Sequence, residues 1–390
     1  MNKICIILAN PKDIDYFVNF IVKYDIQKVD ILYNDFRDNW DNIALKKITS
    51  ENTNLEFKKL SSVYFLKKKY QILISTGDSP PLNLFYLISI KLNLNNFYFK
   101  LSKLAIKIIN KFRKLMNLET KEKINFKQID YVISEKRFFF PRGYDLKTSY
   151  PGISRIQTYN YFMCHGKIDK EIIKSTVQAK VINIGYPRYD VKINTYNTRR
   201  SLLKEFGINN EKKIIYWMPS YRSSKVSNPD LAIDEWIDKV KFVTDDFNVI
   251  IRPHPERIFA SKELLNKIST SNFYIDLNAT RSLVEIYKSV DFIFCEFSGP
   301  FFSAIYNKSK ILILDHDNRK NFHDKIDEIL RQYINYYKIN KNDKIENKNI
   351  IKKYLEDKNY WINQKIKTEK LFNILYELPE EDKIKKLFNV

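Results

Sequence analysis

Short apolar runs, each closed by polar or turn residues, recur along the chain and alternate with stretches of helical period. In the first half they are Ile4 to Leu8, Val29 to Tyr33, Ile72 to Ser75 and Tyr131 to Ser134. In the second half they are Val181 to Ile184, Ile214 to Met218, Val249 to Ile251, Phe292 to Cys295 and Ile311 to Leu314. Continuous runs of this length fit strands buried on both faces, and helices between them predict parallel sheets with crossover connections. Two such sets predict an α/β chain of two doubly wound, Rossmann-like units. The junction is expected where the chain passes through Val181-Ile182-Asn183-Ile184-Gly185-Tyr186-Pro187. That gives a first unit over residues 1–180, a second over 181–325, and C-terminal helices over 326–390 that pack on or cross between them. In open parallel sheets ligands bind beyond the carboxyl ends of the strands, so the loops that follow the runs are where chemistry is expected.

Composition sharpens this picture at three points. The chain of 390 residues is 44% hydrophobic with only 7 Gly and 12 Pro, which fits compact domains rather than linkers. The net charge of +21 favours phosphate-bearing substrates or an anionic membrane surface. Nucleic acid is disfavoured, because neither zinc-finger spacing nor an RNA-recognition signature occurs and the lysines are spread along the chain. The three cysteines, Cys5, Cys164 and Cys295, are widely separated and share no metal-ligand spacing with the four histidines, as expected of a cytoplasmic protein. No window reaches the ~18 apolar residues of a membrane span, so membrane contact is expected to be peripheral. Its candidate is a helix from Lys100 to Lys114. Leu101, Leu104, Ala105, Ile108, Phe112 and Leu115 lie on one face, and Lys100, Lys103, Lys107, Lys111 and Lys114 on the other.

Candidate chemistry clusters after the strands. Arg252-Pro253-His254-Pro255 follows Val249 to Ile251, and a histidine beside an arginine there can donate hydrogen bonds to phosphate oxygens of a leaving nucleotide. Glu296-Phe297-Ser298-Gly299 opens an apparent helix from Phe301 to Tyr306, giving a serine hydroxyl and an approachable backbone at a helix N-terminus. Ser220 and Arg222 follow Ile214 to Met218. Glu285, on a helix over Ser282 to Tyr287, is a candidate ribose contact, and Arg188 sits at the junction. Asp78, after Ile72 to Ser75, is a candidate base for an acceptor hydroxyl. No Asp-x-Asp metal pair stands out, so neither metal nor cofactor is expected.

The order Gly185-Tyr186-Pro187-Arg188-x-Asp190, Pro219-Ser220-Tyr221-Arg222, Arg252-Pro253-His254-Pro255, then an acidic-aromatic-serine loop after Asp291-Phe292-Ile293, resembles the CDP-glycerol glycerophosphotransferase family over about residues 180–315. The resemblance implies a GT-B fold and a cytidine-nucleotide donor held without metal. His254 and Ser298 would contact its phosphates, with Arg222 and Arg252 nearby. It also implies a glycan or lipid-linked acceptor of a bacterial surface polymer. The family's serine pair is reduced here to Ser298 followed by Gly299. Its Trp-His-Gly element is matched only by Cys164-His165-Gly166, which makes His165 a second candidate base. The closeness of His165 to Gly185 points instead to a loop before the junction, with Tyr150-Pro151-Gly152 in the place of that element. A CMP-sialic-acid-type sialyltransferase competes on the same His-Pro and serine features. A nucleotide-sugar epimerase and a non-catalytic binding protein of the same fold stand beside it.

Overall fold

The computed structural model describes residues 4–8, 13–35, 45–46, 49–50, 53–65, 69–77, 133–141, 143, 159–192, 194–208, 211–219, 231–254, 262–278, 281–314, 324–339 and 349–388. Asp78, the Lys100 to Lys114 segment, Tyr150-Pro151-Gly152, Ser220 and Arg222 lie outside them.

Two all-parallel sheets carry the fold. The first runs β3 (Glu56–Lys59), β2 (Val29–Tyr33), β1 (Ile4–Leu8), β4 (Tyr70–Ser75), β5 (Ser134–Phe139), β6 (Tyr161–Cys164), β7 (Lys180–Asn183). The second runs β10 (Tyr274–Ile275), β9 (Phe247–Ile251), β8 (Lys213–Met218), β11 (Phe292–Cys295), β12 (Ile311–Ile313). Both orders step outward from a central strand, reverse, and step outward on the other side, as in doubly wound folds.

The apolar runs are unbroken because helices cover both faces. In β1, Ile4, Ile6 and Leu8 enter one core and Cys5 and Ile7 the other. In β8, Ile214, Tyr216 and Met218 are separated in the same way from Ile215 and Trp217. Helix α1 (Ile14–Lys23) buries Ile14, Phe17, Phe20 and Ile21 against the first sheet. The other helices are α2 (Leu60–Phe65), α3 (Lys167–Thr176), α4 (Thr195–Phe206), α5 (Leu231–Lys241), α6 (Lys262–Ser269), α7 (Leu283–Ser289), α8 (Gly299–Tyr306), α9 (Asp324–Tyr333), α10 (Ile350–Glu356), α11 (Lys358–Leu375) and α12 (Glu381–Phe388).

Three readings change. The run at Val181 does not open the second set: it pairs with β6 as the outer strand of the first sheet. The strand expected at Tyr131 to Ser134 runs instead from Ser134 to Phe139, its start disguised by Glu135, Lys136 and Arg137, which point to or near solvent. Strands β3, β6 and β10 were not expected; β3 is a charged edge strand, β10 has two residues, and the apolar run of β6 was read as part of a connecting loop.

The C-terminal helices touch both sheets. Gln364 of α11 seals the edge of β12: its Oε1 accepts from the Ile311 N–H at 2.9 Å, and its Nε2 donates to Ile311 O at 2.6 Å and Tyr336 O at 3.2 Å. The chain then crosses over Tyr376 to Glu380. Glu380 N donates to Asn183 O of β7, and Phe388 of α12 packs on Phe20 and Phe138 of the first core.

Candidate functional site

On the first sheet, β4 ends in Thr76-Gly77. Gly77 has φ +81°, and a Cβ there would sit 2.9 Å from the Phe139 ring, so only glycine fits the turn that leads to Asp78. After β6 comes His165, 1% exposed. Its Nδ1 lies 2.7 Å from Gly185 O and must carry the proton, since a carbonyl only accepts. Its ring stacks on Tyr186 at 4.2 Å. Burial pushes the imidazole down to about 4, so it is neutral at pH 7. A ring so enclosed cannot touch an acceptor hydroxyl in this arrangement. This enclosure weighs against the expectation of His165 as a base; its Nδ1–H ties the end of β6 to the junction. Its backbone N–H donates to Asp169 Oδ2 at 2.8 Å.

The segment Gly185 to Asp190 connects the two sheets. Arg188, expected among donor-phosphate ligands, is turned toward α1. Its guanidinium lies over Tyr16 at 4.2 Å, its Nη2 is 3.5 Å from Asp15, and its carbonyl accepts from Asn19 at 3.0 Å. The Tyr186 hydroxyl lies 3.5 Å from Ser303 Oγ of α8, and the Tyr189 ring packs edge-on against Tyr287 of α7 at 5.5 Å. Burial raises the Tyr186, Tyr189 and Tyr287 phenols, keeping them protonated.

The second sheet supplies the open groups. Arg252 extends the β9 pairing by one residue, its N–H donating to Trp217 O at 2.8 Å. The residue is 9% exposed, and its charge is felt by the hydroxyls of both Tyr216 and Tyr189. His254, two residues on, is half-buried. Ser298 is the N-cap of α8 in an extended conformation, half-buried, with its Oγ 3.3 Å from Glu296 O and no cap bond to the helix. At Gly299 an added Cβ would meet no atom of the described residues within 4 Å. Pro300 has no N–H to offer, and Phe301 N donates to Ser298 O at 3.0 Å. The groups at this end of α8 with the chemistry to face an anion are the Ser298 hydroxyl and the Gly299 N–H, at the positive end of the helix dipole. Tyr287 Oη anchors the turn by donating to Pro300 O at 3.1 Å.

Glu285 stands apart. It lines a cavity of about 270 Å³ between α4 and α7 with Asn197, Thr198, Ser201, Glu205 and Arg281. Arg281 is held there by Glu205 at 2.9 Å and by Asp276, which also accepts from Tyr216 at 2.5 Å. Sequence reasoning missed this network, because the two residues of β10 left nothing to mark Asp276 as the end of a strand. Among the described residues no group of three or more His, Cys, Asp or Glu could hold a metal, and no helix is long and apolar enough to cross a membrane.

Comparison with known proteins fits this geometry. Two curated relatives are both teichoic acid poly(glycerol phosphate) polymerases. The one from Staphylococcus epidermidis is 25% identical over 191 residues, 46% of this chain and 25% of that protein. The one from Bacillus spizizenii strain W23 is 26% identical over 165 residues, 40% of each. The matches thus span from a quarter to two fifths of the relatives' own length. Among solved structures, the wall teichoic acid polymerase TagF superposes with a TM-score of 0.58 at 15% identity, covering 99% of this chain and 88% of that one. A UDP-N-acetylglucosamine 2-epimerase gives 0.52 at 10% identity, covering 94% and 90%. These likenesses establish the GT-B fold. The family model of CDP-Glycerol:Poly(glycerophosphate) glycerophosphotransferase matches residues 47–372, and the chain belongs to that family.

Proposed function

We propose that this chain transfers glycerol phosphate from CDP-glycerol to the end of a teichoic-acid-like polymer. The observation that carries the reading is the open first turn of α8, where Ser298 and the unobstructed Gly299 stand at the carboxyl edge of the sheet that also presents Arg252 and His254. A diphosphate carries the charge this edge is built to accept. An acceptor hydroxyl attacks the glycerol-bearing phosphorus, a new P–O bond forms, the anhydride P–O bond breaks, and CMP leaves with the charge. His254 and Arg252 stabilise the oxygens on which charge develops, and the hydroxyl proton passes to Asp78, the carboxylate that follows the Gly77 turn. With His165 enclosed, Asp78 is the candidate base retained in this reading. The cytidine donor and polymer acceptor are supported by the family and by the motif order. The basic Lys100 to Lys114 stripe supports docking at the inner face of an anionic membrane, where a lipid-linked acceptor would reside.

The test is release of CMP from CDP-glycerol in the presence of a glycerol-phosphate-primed acceptor and chelator. His254→Ala and Ser298→Ala, shown folded by circular dichroism, should each lower kcat/KM by ten- to a thousand-fold, about 1.4 to 4 kcal/mol. Near-normal turnover in folded His254→Ala contradicts the proposed donor site. Turnover of CMP-sialic acid in place of CDP-glycerol contradicts the donor identity.

A further inference from the structure

We propose that Asp190 is a positioning residue that fixes the direction in which α8 presents the donor phosphates to the first sheet; the inference rests on the donor reading given above. Its two carboxylate oxygens serve opposite halves of the molecule. Oδ2 pairs with Lys23 Nζ at the end of α1, and Oδ1 accepts from the Tyr306 hydroxyl at the end of α8.

On the α1 side the attachment is a stripe. Asp15, Asn19 and Lys23 are spaced four residues apart, so they share one helix face, and each holds the connecting segment: Asp15 through Arg188, Asn19 through the Arg188 carbonyl, Lys23 through Asp190. The opposite face of α1 is committed to the first core through Phe17 and Phe20. The stripe therefore anchors the segment to a part of the fold that cannot turn independently.

On the α8 side, Ser303 and Tyr306 lie one turn apart and meet Tyr186 and Asp190 of the same segment. From Tyr306 back to Gly299 the helix is a rigid strut of about 12 Å. A few degrees of swing at the Tyr306 end thus become a displacement at Ser298, and misplacement of a reacting group by about 1 Å can cost a hundredfold in rate. The aromatic contacts of Tyr306 with Tyr186 at 5.2 Å and Tyr376 at 4.8 Å keep its hydroxyl aimed at the carboxylate. Asp190 is remote in sequence from both partners, 167 residues from Lys23 and 116 from Tyr306.

Asp190→Asn removes the charge and keeps the shape. The expected result is CDP affinity within twofold of wild type, with kcat for transfer reduced ten- to a hundredfold. Hydrolysis of CDP-glycerol by water should rise relative to transfer, because water does not need the aligned acceptor. Lys23→Met should reproduce part of the loss and add little in combination with Asp190→Asn, as expected of residues acting through one contact. A folded Asp190→Asn whose kcat and hydrolysis-to-transfer ratio match wild type overturns the positioning role. So does a parallel loss of CDP affinity, which would make Asp190 a donor ligand. Wild-type protein that neither binds CDP nor turns over CDP-glycerol overturns the donor reading beneath it.

Discussion

Gly166→Ala probes how tightly the end of α11 is held against the first sheet. A Cβ at residue 166 would lie 2.0 Å from Leu375 O, 2.8 Å from Tyr376 Cα and 2.9 Å from Leu375 C. All three are backbone atoms, so no side chain can rotate away. The end of α11 would have to retreat by about 1 Å to reach even a 3.0 Å contact, and the crossing that carries Ile384 and Phe388 into the first core starts there. Overpacking of this kind costs roughly 1 to 3 kcal/mol, and partial loss of burial at Phe388 adds about 1 kcal/mol. The expected destabilisation is about 2 to 4 kcal/mol, read as a lowered urea midpoint by circular dichroism and tryptophan fluorescence. The control is Gly207→Ala. Gly207 has φ +62° and no atom within 4 Å of a built Cβ, so the alanine meets only the backbone penalty of about 1 kcal/mol for a left-handed residue. If Gly166→Ala is no more destabilising than Gly207→Ala, the close packing of α11 on the β6 turn does not carry the weight assigned to it.

Two further outcomes are expected. Burial raises Asp169 from 3.8 to about 7, so the stability it contributes is full below pH 4 and lost as pH rises toward 7; burial lowers His165 from 6.5 to about 4, so its contribution is full above pH 6.5 and lost as pH falls toward 4. The slopes oppose, so wild-type stability should vary little between pH 4 and 7; Asp169→Asn should gain about 3 kcal/mol with rising pH and His165→Gln should lose about 4 kcal/mol, and parallel profiles in urea titrations would refute the assignment. For the membrane, replacing Lys100, Lys103, Lys107, Lys111 and Lys114 by glutamine should abolish salt-sensitive flotation with anionic liposomes, each lysine contributing about 1 kcal/mol, and unchanged flotation would remove the idea.

What could be read from the sequence follows from where side chains lie. Ile4 to Leu8, Val29 to Tyr33 and Phe292 to Cys295 coincide with β1, β2 and β11, because strands covered on both faces leave no polar position to break the run. Ser134 to Phe139 was obscured because the same strand begins near solvent and ends in the core. The α8 start was legible because Ser298-Gly299-Pro300 puts a cap-type residue and an early proline directly after a buried strand, although the serine makes no cap bond. The surroundings of Arg188, Glu285 and His165 were not legible because local chemistry does not show which way a side chain turns. Arg188 is claimed by Asp15 and Tyr16 on a helix far upstream, Glu285 faces the α4–α7 cavity, and His165 is closed in by Tyr186 and Gly185. Asp190 was visible only as part of a motif, since Lys23 and Tyr306 lie 167 and 116 residues away.

The proposed donor site is tested most directly at Gly299, because a methyl group there meets no atom of the described residues within 4 Å, so a loss of CDP affinity would report on the ligand. Calorimetric titration of CDP into wild type, Gly299→Ala and Ser298→Ala, with each variant's unliganded melting temperature as control, isolates that effect. The expected result is an unchanged melting temperature for Gly299→Ala, within about 0.5 kcal/mol of wild-type stability, with CDP affinity at least tenfold weaker in both variants. CDP bound by all three proteins with equal affinity would contradict a phosphate site at the start of α8.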